Sequence, residues 1–254
     1  MRTMAKKSLG QHFLLDEHVA DREISYAALK PDDVVLEIGP GKGILTRRLM
    51  RQVQHLIAIE IDHGLVTELS TWIPPNVLLI EADVLKIDLH ALPVFTKIVA
   101  NLPFQISSPL TFKLLEQTFS QAILMYQKDF AQRMIAQPGN KQYSRLSVGV
   151  YYKAECRILE TVPKTCFSPQ PKVESCIVEI IPKKKPPFSV VNEKFFFTLT
   201  KTLFAHRRKQ IKNTIKNVLG ISTKGLPTMT RRVEELTPEE IGELSNVLYT
   251  LSVK

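Results

Sequence analysis

The sequence predicts an α/β chain with a mainly parallel sheet, followed by a small all-helical domain, and two features carry that prediction. From residue 34 to residue 128, short apolar runs alternate with longer amphipathic segments, the pattern of strands covered on both faces by helices. After about residue 182 only helical periodicity remains. A charged, proline-stiffened break, Lys183-Lys184-Lys185-Pro186-Pro187, separates the two regions, so domains are expected at 1–182 and 183–254.

Val34 to Gly39 reads as the first strand of the sheet and His55 to Asp62 as the second. Asn76 to Asp83, Lys97 to Asn101 and Ala122 to Gln127 supply three more. Ser108 is expected to cap the helix after the fourth of these strands, with Pro109 in its first turn, where a missing N–H costs nothing. In the second region a helix is expected around 205–219: Ile211, Ile215, Val218 and Leu219 recur at helical spacing, with Lys209, Lys212 and Lys216 on a separate stripe. Thr237-Pro238-Glu239-Glu240 reads as a capping box that opens a last helix.

The chain has 254 residues, 44% hydrophobic and 23% charged, an ordinary globular composition. Nothing approaches the roughly 18 consecutive apolar residues of a membrane helix, and Met1 to Lys7 has neither the apolar core nor the cleavage site of a secretory signal. A cytoplasmic protein without membrane contact is expected. Three cysteines, ten residues apart and without a Cys-x-x-Cys pair, point to reduced thiols. Six histidines show no metal-ligand spacing, so no metal is expected. The net charge of +9 points to a polyanionic partner, and it is concentrated: between Lys183 and Asn217 ten Lys or Arg residues face a single acid, Glu193.

Candidate chemistry lies at the strand ends. Glu37-Ile38-Gly39-Pro40-Gly41-Lys42-Gly43 joins the first sheet strand to a helix, and its glycines let backbone approach a ligand. The sixth position counted from Gly39 is Ile44, which departs from G-x-G-x-x-G and counts against a nicotinamide cofactor. Glu60, twenty-one residues after Gly39, can accept both hydroxyls of a ribose, and Asp83 can accept from an adenine amino group. Asn101-Leu102-Pro103-Phe104 follows a buried strand and offers an exocyclic amine an acceptor, a rigid turn and a stacking face. Taken singly each acid reads as a solvated strand end. Four such features on four successive strands describe a site.

These residues resemble the class I methyltransferases that use S-adenosylmethionine, whose sheet is Rossmann-like. The resemblance narrows further. Gly10 to Leu14, Glu37 to Gly43, Asn101 to Pro109, Phe167 to Val173 and Arg207 to Asn213 are similar, in order and across the chain, to the signatures of the small-subunit ribosomal RNA adenine N6,N6-dimethyltransferases. The resemblance implies that His12 and Leu14 border the cofactor, that Gly39 passes its methionine portion with Gly41 also in the cofactor site, that Glu60 holds its ribose and that Asp83 meets its adenine. It implies that Asn101 serves cofactor and substrate, with Leu102, Pro103 and Phe104 completing the catalytic loop. The implied reaction dimethylates two adjacent adenosines in a hairpin loop near the 3′ end of small-subunit rRNA, within an assembling particle, carried out by a monomer. Where the family often has Asn and Tyr, this chain has His12 and Phe104. The second change keeps the stacking face and loses a hydroxyl.

An adenine N6 lone pair is delocalised into the ring, so the amine must be aimed. Acceptors from the Asn101 side chain and the Leu102 carbonyl can take its two hydrogens, without a strong general base. The base has to leave its helix or lie in a loop, and Phe104 and Phe167 are the candidates to clamp it. Read by itself, Phe167 is ordinary core packing. Arg207, Arg208, Lys209, Lys212 and Lys216 are the candidate grip on the RNA backbone, against the plainer reading of a solvated helix face. Two alternatives remain at this level: a large-subunit rRNA adenine methyltransferase of the antibiotic-resistance type, and a binding protein that kept the fold and lost catalysis.

Overall fold

The computed structural model describes residues 11–216 and 230–252. The chain divides into two compact units, Met1–Ala131 with Glu155–Pro182 and Gln132–Ala154 with Lys183–Lys254. Residues 132–154 sort with the second unit in this division, whereas the sequence reading divides the chain once, after residue 182.

In the first unit, β1 (Phe13–Leu14) leads into α1 (Glu17–Tyr26). Asp16 caps that helix by accepting from His18 N at 3.0 Å and Val19 N at 3.1 Å. Then follow β2 (Val34–Ile38), α2 (Thr46–Leu49), β3 (His55–Glu60), α3 (His63–Ser70), β4 (Val77–Glu81), β5 (Lys97–Asn101), α4 (Ser107–Leu114) and β6 (Gln121–Gln127). All five sheet strands expected from the sequence are present. Asp83, expected at a strand end, lies two residues past Glu81. Ser108 does not cap α4: the helix begins one residue earlier, at Ser107, with Ile106 at the cap position, although Pro109 does fall in its first turn.

Beyond α5 (Lys128–Met134) and α6 (Arg145–Lys153), β7 (Ala154–Val162), β8 (Phe167–Ser168) and β9 (Ser175–Pro182) complete the strands. The large sheet runs β4-β3-β2-β5-β6-β9-β7, parallel from β4 to β6 and antiparallel where β9 joins β6. β2, β3, β5 and β6 are almost wholly buried, as strands covered on both faces must be. The chain winds outward from β2 to β4 and returns to β5 beside β2, so the order reverses between β2 and β5, where open α/β sheets bind ligands. A separate antiparallel pair, Phe13 with Ser168 and Leu14 with Phe167, ties β1, near the start of the described chain, to the distant β8.

Among its described residues the second unit is helical apart from an isolated bridge between Gln210 and Arg232. It comprises α6, α7 (Glu193–Ala205), α8 (Ile211–Thr214) and α9 (Pro238–Ser252) around a core that includes Tyr143, Tyr152, Phe196, Leu199, Ile241 and Leu248. The capping box of α9 forms, with Thr237 N donating to Glu240 at 2.8 Å and Glu240 N to Thr237 at 3.2 Å. The helix expected over 205–219 is broken. α7 ends at Ala205, a turn occupies 206–209, and α8 starts only at Ile211. Ile211 and Ile215 are buried as the periodicity predicted, while Val218 and Leu219 lie outside the described residues.

Candidate active site

A cavity opens at the reversal point of the sheet. His12 and Leu14 from the β1 segment, Glu37, Gly39 and Gly41 from the β2 loop, Glu60 and Ile61 from β3, Asn101 to Phe104 from β5, and Phe167 from β8 all line it. An adjoining concavity shares Gly39, Glu60, Ile61 and Pro103 and adds Asp83, Val84 and Gln105. The fold thus gathers every residue expected to meet cofactor or base around two hollows that share part of their lining.

Backbone geometry shapes the floor. Gly39 and Gly41 have φ of +71° and +59°, left-handed values that favour glycine. A Cβ on Gly41 would come within 3.1 Å of the Phe13 ring. Gly41 N donates to Glu60 Oε2 at 3.1 Å, while Ile61 N and Asp62 N both donate to Oε1 at 2.9 Å. Glu60 is therefore rigidly aimed and keeps lone pairs for a further donor. Burial raises its pKa, and the three backbone N–H groups oppose that rise.

Glu37 was not singled out from the sequence. It sits inside an apolar strand, 1% exposed, lines the cavity, and its Oε2 has no hydrogen-bond partner. Burial pushes its carboxyl up to about 8, against the polar groups of Thr46 beside it and with help from the Glu60 charge. An acid in the middle of Val34–Ile38 was the readable signal: a buried strand has no structural use for it.

The Asn101 amide faces Glu23 of α1, and an ionised Glu23 selects one of its two orientations. Turned toward α1, Nδ2 donates to Glu23 Oε1 at 3.0 Å and Oε2 at 2.9 Å, whereas the reverse orientation aims the amide oxygen at the same two acceptors. Phe104 stacks on His12 with ring centroids 5.6 Å apart and planes inclined at 27°. His12 Nδ1 lies 2.6 Å from the Pro169 carbonyl, so the proton is on Nδ1 and donates to that oxygen. Phe167 has both roles weighed for it: it lines the cavity and, 4% exposed, belongs to the core. Asp83 Oδ1 accepts from Leu85 N at 3.0 Å, and Oδ2 lies 3.7 Å from Lys86 Nζ.

In the second unit the basic residues divide. Arg207 is turned inward: Nε donates to Glu234 at 2.6 Å, and its terminal nitrogens donate to the Lys141 and Asn140 carbonyls at 2.5 and 2.9 Å. Arg208, Lys209, Lys212 and Lys216 are exposed. They do not share one helix, since Arg207 to Lys209 occupy the turn before α8.

A family profile described as ribosomal RNA adenine dimethylase matches residues 2–249. The chain belongs to that family. A relative from Methanosarcina acetivorans, named a probable ribosomal RNA small subunit methyltransferase A, is 43% identical over 95% of this chain and 93% of its own. Among solved structures, a dimethyladenosine transferase from Plasmodium falciparum superposes with a TM-score of 0.77 at 29% identity, covering 93% of this chain and 96% of that one. The 23S rRNA methyltransferase ErmE gives a TM-score of 0.61 at 25% identity over 91% and 99%. The fold is that of the Rossmann-like class I methyltransferases. No helix among the described residues is long and apolar enough to cross a membrane, and no group of side chains among them is suited to hold a metal ion.

Proposed function

We propose that this chain dimethylates the N6 amines of two adjacent adenosines in a hairpin loop near the 3′ end of small-subunit rRNA, using S-adenosylmethionine. It works as a cytoplasmic monomer on an assembling small subunit. The observation that carries the reading is the meeting of Asn101 to Phe104 with Gly39 at the sheet reversal, in a chain of this family.

The residues present fit the cofactor. The unpaired, buried Glu37 Oε2 suits its ammonium group, and Glu60, held by three backbone N–H groups, suits a ribose diol. Asp83 in the adjoining hollow suits an adenine amine, although Leu85 N already engages one of its oxygens. When bound, the cofactor supplies an electrophilic methyl on a sulfonium. The chain supplies aim. Asn101 Oδ1 and the Leu102 carbonyl accept the hydrogens of the target amine and favour a pyramidal nitrogen. Phe104, held by His12, offers one stacking face and Phe167 borders the other side, stacking of this kind being worth roughly 1–3 kcal/mol per base. Arg208, Lys209, Lys212 and Lys216 grip the RNA backbone.

Nucleoside mass spectrometry of small ribosomal subunits lacking the modification, after incubation with the protein and S-adenosylmethionine, tests the reading. Dimethyladenosine at two neighbouring sites near the 3′ end is expected. No methylated adenosine, with cofactor binding intact, would require another RNA target.

A further inference from the structure

We propose that Glu23 is a positioning residue for methyl transfer: it holds the Asn101 amide with Nδ2 inward, so that Oδ1 is the atom presented to the target amine. The inference rests on the role given to Asn101 above. An amide oxygen and nitrogen have nearly the same shape, so packing alone does not choose between the two orientations. The chemistry does. Reversed, the amide would meet the N–H groups of the substrate with its own N–H donors, and the amine would lose its acceptor.

An ionised Glu23 makes the choice, because it can only accept, and both its oxygens lie within hydrogen-bond distance of Nδ2. Glu23 is 0% exposed on the inner face of α1, beside the buried Val19, Ala20 and Ile24. An aliphatic side chain would fill that space without the desolvation penalty of a carboxylate. Core packing therefore gives no reason for an acid here, and the Asn101 amide does.

The same contact makes orientation depend on pH. Two carboxyls face Glu23 from other elements: Glu37 on β2, and Glu160 on β7, which is paired with Arg22 at 2.7 Å and bonded by Tyr26. Burial first, then the charges of Glu37 and Glu160, hold the Glu23 carboxyl well above the usual range. Neutral Glu23 carries an O–H that can donate to Oδ1, which frees the amide to turn. Deprotonation locks it in the productive orientation.

The test is single-turnover methyl transfer to small subunits lacking the modification, at saturating S-adenosylmethionine, across neutral and alkaline pH. Saturation fixes cofactor occupancy, so that any change of cofactor affinity as Glu37 titrates does not enter the profile. E23Q is expected to lose roughly tenfold in rate, with cofactor Kd changed by less than about twofold, and to lose the rise of rate with pH. E23D should recover part of the rate and keep the rise, and E160Q should keep it in full. If N101A is inactive while E23Q keeps the wild-type rate and profile, the inference is overturned alone. An active N101A overturns the role of Asn101 itself. Should E23Q fail to fold, the side-chain amide NMR signals of Asn101 in the wild-type chain decide: they are expected to move with pH, and fixed signals would refute the coupling.

Discussion

Arg207 and Glu234 form an ion pair at 2.6 Å that joins the turn before α8 to the segment leading into α9. The remaining guanidinium donors close on the Asn140 and Lys141 carbonyls, so this arginine knits together three stretches of the second unit that are distant in sequence. R207A is expected to lower unfolding free energy by about 2 kcal/mol, the scale for removing charge-assisted bonds from a half-buried site. Replacing Arg208, Lys209, Lys212 and Lys216 together should instead leave the melting temperature nearly unchanged and flatten the dependence of RNA affinity on salt. Chemical denaturation and filter binding over a salt series separate the two roles. A shallower salt slope in R207A at unchanged stability would reverse the assignment.

Asn101→Ala removes both the acceptor offered to the substrate and the donor offered to Glu23. Methylation is expected to fall at least about a hundredfold, the scale for losing a group that orients the reacting atoms, while RNA affinity and its salt slope stay put. Leu102 contributes through its carbonyl, so side-chain replacement there should act on packing and not on chemistry. Rapid-quench kinetics with labelled cofactor, alongside RNA binding of the same variant, distinguish lost chemistry from lost binding.

Which parts of this molecule were legible beforehand follows from where the physical information resides. Strands β2, β3, β5 and β6 are buried on both faces, so each writes itself into the sequence as an apolar run, and their polar ends stand out against it. Asn101 and Glu60 were visible for that reason. Glu23 was not: on an amphipathic helix between Arg22 and Ser25 it reads as one more solvated acid, and only the docking of α1 against β5 buries it. The break between α7 and α8 was hidden for a related reason. Ile211 and Ile215 keep helical spacing, but the turn at 206–209 is held by tertiary bonds, Arg207 to Glu234 and Gln210 to Arg232, that no local pattern encodes. Residues 132–154 have an unremarkable composition, so nothing local marks them as part of the second unit.

Glu37 has a folded pKa of about 8 against an ordinary value of 4.5. The folded chain therefore prefers the neutral acid. Stability from this group is fully present below the unfolded pKa and is lost as pH rises toward and through 8, at a rate of up to about 1.4 kcal/mol per pH unit. Glu23 acts in the same direction. Free protein is expected to melt at a lower temperature at mildly alkaline than at mildly acidic pH, and E37Q should reduce that slope. A cofactor ammonium beside Oε2 would favour the ionised form, so binding near neutrality should release a proton. Calorimetric titrations in two buffers of different ionisation enthalpy measure the release directly. Identical enthalpies in both buffers would contradict it, and E37Q should bring the wild-type difference to zero.

Gly41 and Gly139 share a left-handed backbone, with φ of +59° and +80°, but differ in what an added methyl would meet. Beside Gly139 there is nothing within 4 Å, so G139A should cost only the backbone strain of an alanine in that region, about 1 kcal/mol. At Gly41 the new Cβ would stand 3.1 Å from Phe13 Cδ1 and 3.2 Å from Cε1, and the same residue supplies the N–H that holds Glu60 at 3.1 Å. Relief of that contact requires the Phe13 ring or the glycine loop to move, and both line the cavity. G41A is therefore expected to add a loss of roughly tenfold or more in S-adenosylmethionine affinity to its strain cost, while G139A binds as the wild type does. Melting curves give the shared strain and calorimetric titration gives the difference. Equal cofactor affinities in the two variants would mean that the Gly41 loop accommodates a side chain, and that Glu60 does not depend on it for its aim.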